Sequence, residues 1–433
     1  MGAGEASFAA DKETVMTYVR RMRSSDPTTR SGLRTIKMLS KVGNVARTHD
    51  GRPRDQAPRA HAPQLLNDSA GYEVEVSTSD EDAVWDAFLL EAPGGHHVQS
   101  SLWGQLKASE GWRPVRILVR RNDELVAGVQ VLIRSLPLIG GVAYAPRGPV
   151  FGSPSPELRQ IMLDQLNDLI TVYRVRHLTI QPPDDGQAFE QTLQDAGYRP
   201  SAAAVAPVAT VQVDLRPEPS EILARMRTNH RRFVRHGLRQ GVSGRLGSRD
   251  DLEGFYDLVL ATSRRHGFEP YPFDHFVQLW DLFHPRGLVQ LFLSEYRGEL
   301  VSGQLAVAFG NRVTAKNSGW TGEKGNLGPN YVMEWTTIEW ARSNGYRYYD
   351  LEGIDVRAAR LKLKGEPLPE ELRRTHSCYK LGFGDVVMFP GPQVTVPNPV
   401  LRWCYWTVFP RVSQMTAVRS AINRLRTRWK TVG

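Results

Sequence analysis

Acidic residues are missing from the end of this 433-residue chain: residues 386–433 hold seven Lys/Arg and no Asp or Glu. Cysteine is scarce, with only Cys378 and Cys404. Two isolated cysteines exclude a disulfide framework and lack the paired spacing of a zinc site, so a reducing compartment is expected. No apolar run approaches the roughly 18 residues that a membrane span needs. The N-terminal "MGAGEASFAADKETV" carries acids and has no apolar h-region, so it does not read as a secretory signal. A cytoplasmic protein is the expectation.

The formal net charge is +9, but it is unevenly spread. Residues 1–70 hold 12 Lys/Arg against 7 Asp/Glu, a net of +5, and residues 386–433 contribute +7. The body, 71–385, therefore carries 9 − 5 − 7 = −3. A basic chain points to nucleic acid or anionic lipid. Here the excess lies in the tails, which argues against the body being a simple DNA-binding domain.

Residues 1–70, with "THDGRPRDQAPRAHAP", have a linker's composition and predict a largely disordered segment, with a short amphipathic helix around "GLRTIKMLSKV". From Tyr72 the pattern is globular, and it repeats. "RNDELVAGVQVLI" (121–133) and "YRGELVSGQLAVA" (296–308) each read as strand, turn, strand, with Glu-Leu-Val-x-Gly in register 175 residues apart. Each is followed by a strand ("GGVAYAPRGPVF", "NRVTAKNSGWT"), a helix opening at proline (156–173, 329–344) and a closing strand ("RHLTIQP", "RYYDLEG"). Two copies of one mixed α/β unit are predicted, over residues 71–215 and 216–390. A basic, aromatic, helical tail is expected over 391–433.

The second unit opens on "RMRTNHRRFVRHGLRQGV" (225–242), read as part of one helix capped by Ser220 and ending at Gly241. Leu223, Met226, Phe233 and Val234 supply an apolar stripe, while Arg231, Arg235 and Arg239 fall four apart on the outer face.

"HVQSSLWGQLKASEGW", "AYAPRGPV", "RRFVRHGLRQGV", "YYDLEGI" and "YKLGFG" occur in an order that resembles the FemABX peptidyltransferases. The resemblance spans roughly residues 72–390. It implies two tandem GNAT-like domains in a compact form without the coiled-coil arm, acting as a monomer. It also implies transfer of an amino acid from aminoacyl-tRNA to an amine of a peptidoglycan precursor. An aminoacyl ester is already activated, so no cofactor or metal is called for. The protein must orient amine and ester, accept a proton and stabilise an oxyanion.

By that resemblance Lys380 in "YKLGFG" stabilises the oxyanion or holds the tRNA terminus, with glycines letting the backbone approach a ligand; otherwise it is a surface lysine. Tyr379 and Tyr331 match aromatics lining the same site. Lys107 in "WGQLK" matches a lysine placed on precursor phosphates, the alternative being a solvated helix face. Arg147, in the turn "APRGP", serves the acceptor or a structural ion pair. Tyr144, Asp350 and Glu352 are general-base or orienting candidates, unless the carboxylates are only caps. Arg227, Arg231, Arg235 and Arg239 would meet tRNA phosphates through counterion release, or else form a solvated face.

The chain also departs from the family. Phe151 and Gly152 stand where members often carry an acid, and Pro270-Tyr271-Pro272 where an arginine is common. Both changes put the usual acceptor in doubt more than the donor. Transfer to a small amine or peptide in antibiotic biosynthesis is one alternative. A CoA-dependent N-acyltransferase is another, although "RSNGYR" (342–347) is a poor pyrophosphate loop. A non-catalytic RNA- or membrane-binding protein would leave the duplication unused. Trp403, Tyr405, Trp406 and Phe409 among basic residues suit the inner face of an anionic membrane, RNA, or docking on the body.

Overall fold

A computed structural model describes residues 66–67, 71–136, 140–201 and 204–408. The helix expected near 32–42 and most of the basic tail lie outside the described residues. Two mixed sheets organise the rest. Strands β1 (Leu66–Asn67), β2 (Tyr72–Ser77), β3 (Arg113–Arg121), β4 (Glu124–Leu136), β5 (Gly140–Pro146), β6 (Val150–Phe151), β7 (Val175–Gln181) and β8 (Arg199–Pro200) precede β9 (Ala209–Asp214) and β10 (Val242–Gly247). They are followed by β11 (Val289–Tyr296), β12 (Glu299–Phe309), β13 (Arg312–Trp320), β14 (Tyr348–Gly353), β15 (Asp385–Met388) and β16 (Gln393–Thr395). The first sheet runs β1-β2-β3-β4-β5-β7-β16-β8, with β6 on β4; the second runs β10-β11-β12-β13-β14-β9-β15.

The repeat appears as two equivalent hairpins, β3–β4 and β11–β12. Their two-residue turns, Asn122-Asp123 (φ 52° and 65°) and Arg297-Gly298 (φ 54° and 81°), are left-handed at both central positions. That is the backbone hand a tight hairpin of twisted strands requires. In each unit one parallel pair follows, joined by a crossover helix, Pro156–Val172 or Pro329–Ser343. Leu158, Ile161, Met162, Leu166 and Leu169 of the first helix pack on β3, β4 and β7. Met333, Trp335, Ile338, Trp340 and Ala341 of the second close on β9, β12 and β14.

Sheet membership departs from the expected boundaries at both ends. Residues 209–214, placed in the first unit, form β9 between β14 and β15 of the second sheet. Residues 393–395, placed in a helical tail, form β16 between β7 and β8 of the first. Only then come a short helix, Pro399–Trp403, and a π-helical turn to Val408.

The basic helix also differs. It is two helices, Pro219–Arg225 and Thr228–Arg239, with extended backbone at Met226 and Arg227. The first is capped by Glu218 rather than Ser220, through its backbone. Met226 is buried at the break (1% exposed), which turns the chain.

The two halves share an apolar core. Leu102, Trp103 and Leu106 of the Ser101–Ser109 helix pack with Phe276, Leu279, Trp280 and Phe283 of the Phe273–Phe283 helix and with Leu291, Leu293 and Leu305. A hydrophobic seam of this kind fixes the relative placement of two domains, and the site lies beside it.

Candidate active site

Two cavities flank the second sheet. The first, about 340 Å³, lies between the halves and is lined by His96, Trp103, Lys107, Tyr144 and Arg147 from one side and Tyr271, His275, Lys316, Asp350 and Glu352 from the other. The second, about 370 Å³, opens between the end of β13 (Ser318–Trp320), the start of the Pro329–Ser343 helix with Tyr331 and Glu334, and Thr375, His376 and Tyr379. Both exist because β13 and β14 pair only over Arg312–Thr314, after which β13 runs on to Trp320 without that neighbour.

In the first cavity, Lys107 is neither solvated nor free. It is 6% exposed, and its Nζ donates to both Glu110 carboxylate oxygens (2.9 and 2.7 Å). The ammonium lies over the rings of Trp103 (5.0 Å) and Tyr271 (5.5 Å). Burial pulls its pKa down, and Glu110 opposes that. Glu110 also meets His275 Nδ1 at 3.0 Å. Burial pushes this carboxyl up, but His275 and Lys107 outweigh it and hold it below the usual glutamate range. Tyr271, at the proline-flanked departure from the family pattern, stacks on His275 at 4.2 Å.

Arg147 is 4% exposed and left-handed (φ 54°). Among the described residues it forms no salt bridge; instead its Nη2 donates to the Pro207 carbonyl (2.6 Å) and the guanidinium lies 3.6 Å over the Phe389 ring. Its Nη1 is buried without a hydrogen-bond partner among the described residues. Burial lowers its pKa to about 10, which still leaves it charged at neutral pH. A buried donor on a cation is costly unless an acceptor arrives. Tyr144 packs edge-on against Trp112 at 4.7 Å, and burial raises its phenol pKa.

The two carboxylates proposed as bases are already engaged. Asp350 accepts from the Thr210 hydroxyl, from Gln212 Nε2 (3.1 Å) and from the Glu352 amide (2.7 Å), and Arg312 approaches to 3.8 Å. Glu352, left-handed at φ 59°, pairs with Lys316. They anchor the strand end rather than standing free for proton transfer.

Lys380 ends the short His376–Lys380 helix. Its Nζ donates to the Gly353 carbonyl (3.0 Å). Burial lowers its pKa, offset by Glu352, Glu334 and Asp350. Glu352 and Asp350 line the first cavity and Glu334 the second, so this ammonium, which lines neither, feels the charges of both. The glycines of "YKLGFG" serve packing rather than ligand approach. A side chain at Gly382 would meet the His230 ring at 2.1 Å, and one at Gly384 the Gln212 carbonyl at 2.1 Å.

The basic helix holds this turn in place. His230 is buried and its Nε2 meets the Tyr379 carbonyl at 2.8 Å, while the Arg227 amide donates to the Gly382 carbonyl (2.8 Å). Tyr331 stacks on Phe233 (4.9 Å) and meets Tyr379 edge-on (5.1 Å). Of the four arginines, Arg227, Arg235 and Arg239 are exposed. Arg231 is drawn back to the Ala224 and Met226 carbonyls (both 2.6 Å), closing the break between the helices.

One residue escaped the sequence reading. Glu334 is 5% exposed, faces the second cavity and accepts a hydrogen bond from the Tyr349 hydroxyl, which itself accepts from Gln304 Nε2 (2.6 Å). Burial raises its pKa to about 7 against the opposing hydrogen bond from Tyr349 and the charge of Lys380. The signal was the helix "PNYVMEWTTIEWARS", whose apolar residues flank Glu334 closely and which is buried over most of its length, Glu339 and Ser343 being exposed.

Comparison with known proteins agrees with this architecture. Residues 81–204 match the FemAB family and residues 224–360 an acetyltransferase (GNAT) domain. A lipid II:glycine glycyltransferase of Staphylococcus aureus strain MRSA252 is 26% identical over 219 residues, 48% of this chain and 52% of the relative. That of strain USA300 gives the same figures. The chain thus spans about half the length of the curated relatives it matches. The crystal structure of FemX superposes with a TM-score of 0.65 at 20% identity, covering 73% of this chain and 96% of that one. At that identity the likeness concerns the fold, two mixed α/β units in tandem.

Proposed function

The chain belongs to the FemAB family and carries a GNAT domain in its second half, and on that footing we propose that it is an aminoacyl-tRNA-dependent aminoacyltransferase. Its acceptor is the free amine of a peptidoglycan precursor, lipid-linked or nucleotide-linked. The observation that carries this reading is the buried Lys380, held by the Gly353 carbonyl within electrostatic reach of carboxylates from both of two similar cavities. Two substrates entering from opposite sides would meet at one ammonium. The cavity between the halves, with the unpartnered Nη1 of Arg147, takes the acceptor, whose phosphates or carboxylates would complete that donor. The cavity beside Tyr331 and Tyr379 takes the aminoacyl end of the tRNA. The exposed Arg227, Arg235 and Arg239 meet the tRNA backbone.

Attack of the amine on the ester carbonyl places negative charge on the carbonyl oxygen. Lys380, largely desolvated and held by Gly353, stabilises that charge without reorganising, which is where a preorganised donor contributes most. Acyl transfer from CoA fits less well. The helix N-terminus at the second cavity begins with Pro329, which has no N–H to offer a pyrophosphate.

The test is incubation with a mixture of labelled aminoacyl-tRNAs and candidate acceptors, with mass spectrometry of the acceptor. Transfer is expected, and it should vanish when the tRNA is deacylated or treated with ribonuclease beforehand. Transfer sustained by acyl-CoA alone would overturn the donor assignment.

A further inference from the structure

Lys380 answers only one of the three charge changes in such a reaction. The attacking nitrogen becomes an ammonium and must lose a proton, and the departing ribose oxygen must gain one. A protonated lysine cannot accept the first. Three carboxylates line the two cavities. Asp350 has Arg312 at 3.8 Å and is filled by three donors, and Glu352 is paired with Lys316. Among the described residues, Glu334 alone of the three has no cation at salt-bridge distance. It is held instead by the Tyr349 hydroxyl, with Gln304 behind it. Beside it, the Tyr379 hydroxyl is buried with no partner among the described residues, a polar atom in search of a ligand.

We propose that Glu334 is the catalytic proton shuttle: its carboxylate takes the proton from the attacking amine and returns it to the ribose oxygen. This rests on the aminoacyl-ester reading above. As the C–N bond forms, the carbonyl π pair moves to oxygen beside Lys380. The N–H proton passes to Glu334, the oxyanion collapses, the ester C–O bond breaks, and the Glu334 proton caps the leaving oxygen. The carboxylate is regenerated, so no co-reactant is consumed. A shuttle works best when it holds its proton about half the time at working pH, and burial brings Glu334 to about 7.

The groups facing Glu334 are Tyr349 on β14, Gln304 on β12, and Lys380 and Tyr379 on the His376–Lys380 helix. Tyr331, His376, His266, Arg265 and Arg374 share its cavity. His376 is the competing base, because burial and Lys380 keep its imidazole neutral. Tyr349 separates the two, since it touches Glu334 and has no contact with His376 among those described.

The experiment is the pH profile of kcat with charged tRNA for wild type, Glu334→Gln and Tyr349→Phe, each checked for folding by circular dichroism. Wild-type kcat should rise with pH through about 7 as the carboxylate ionises. Glu334→Gln should lose about 10²–10⁴ in kcat and lose that acid limb. Tyr349→Phe removes a hydrogen bond that favours the ionised form, so its limb should move to higher pH. A Glu334→Gln enzyme with wild-type kcat or an intact limb would overturn the proposal. So would a Tyr349→Phe limb that stays in place, and this second variant decides alone if the first does not fold. Should the wild type prove to use acyl-CoA instead, the donor assignment fails by itself, and the same three profiles with that donor judge Glu334 separately.

Discussion

The two halves are copies of one unit whose central parallel pairs have gone different ways. In the first, β5 and β7 stay paired along six registered positions from Gly141 to Pro146, and β16 and β8 extend the sheet beyond them. In the second, β13 and β14 part after three, Arg312 to Thr314. The closed pair leaves no room between its strands, so the first half borders its cavity only with an outer face. The parted pair makes a slot whose walls are backbone ends and whose floor is the helix bearing Glu334. The charges follow the same division. The cavity facing the first half is lined by ions that already have partners, with Arg147 the exception. The second holds aromatics, Arg265, Arg374 and one carboxylate, Glu334, that has no cation at salt-bridge distance among the described residues. On the proposed function, one unit would serve binding and the other chemistry.

If that division is real, substitutions in the two cavities should separate in kinetics. Glu334→Gln apart, the largest effect is expected at Lys380. Lys380→Ala should reduce kcat by about 10²–10³, the scale of losing one oxyanion donor, with acceptor KM nearly unchanged. Lys380→Arg should recover only part, because a planar guanidinium cannot take an ammonium's place. Near-normal kcat in steady-state assays of the folded alanine variant would make "YKLGFG" a structural turn.

A smaller effect of a different kind is expected at Arg147. Its free Nη1 is the donor an acceptor would complete, so Arg147→Ala should raise acceptor KM by about 10-fold or more, given about 1.5–3 kcal/mol for a hydrogen bond to a charged group, while kcat is largely kept. A fall in kcat at constant KM would erase the distinction between the cavities. Lys107→Ala is a poorer probe than the sequence implied, since it strips Glu110 of its closest cation.

The least effect on turnover is expected from removing residues 411–433, which carry six of the seven tail charges and leave Arg402. Because β16 returns the chain to the first sheet, the tail departs from the half assigned to the acceptor. The Pro399–Trp403 helix exposes Val400, Leu401 and Trp403 there. At about 1 kcal/mol per basic residue near an anionic surface, deletion should release the protein from phosphatidylserine-containing vesicles in a sedimentation assay. Turnover of a soluble acceptor should stay as it was. Unchanged vesicle binding would assign the tail another role.

What the sequence disclosed and withheld follows from the range of the interactions. The hairpins, proline-opened helices and closing strands were legible because alternation, two-residue turns and caps are local. The membership of 209–214 and 393–395 was not, because a strand's partners lie more than a hundred residues away and nothing in "ATVQVD" names them. The break at Met226 was missed for a related reason. Its residues have ordinary helical character, and only Arg231 folding back on two carbonyls reveals it. Among site residues, family motifs led to Lys380, Tyr379 and Tyr331, but could not report that Asp350 and Glu352 are already bonded. Glu334 was passed over because a glutamate reads as surface until its neighbours Val332, Met333 and Trp335 are seen to be buried with it.

The strand exchange has a consequence for how the molecule comes apart. Parting the halves between residues 215 and 216 would leave β9 attached to the wrong piece, taking an inner strand from one sheet, while β16 would leave with the other. Neither piece would be a complete domain, although the protein was built by doubling one. The chain thus crosses between the sheets at both exchanged strands, and the halves share one apolar core, so heat should meet one cooperative unit rather than two. The duplication supplied two sites, and the exchange made them a single thermodynamic object.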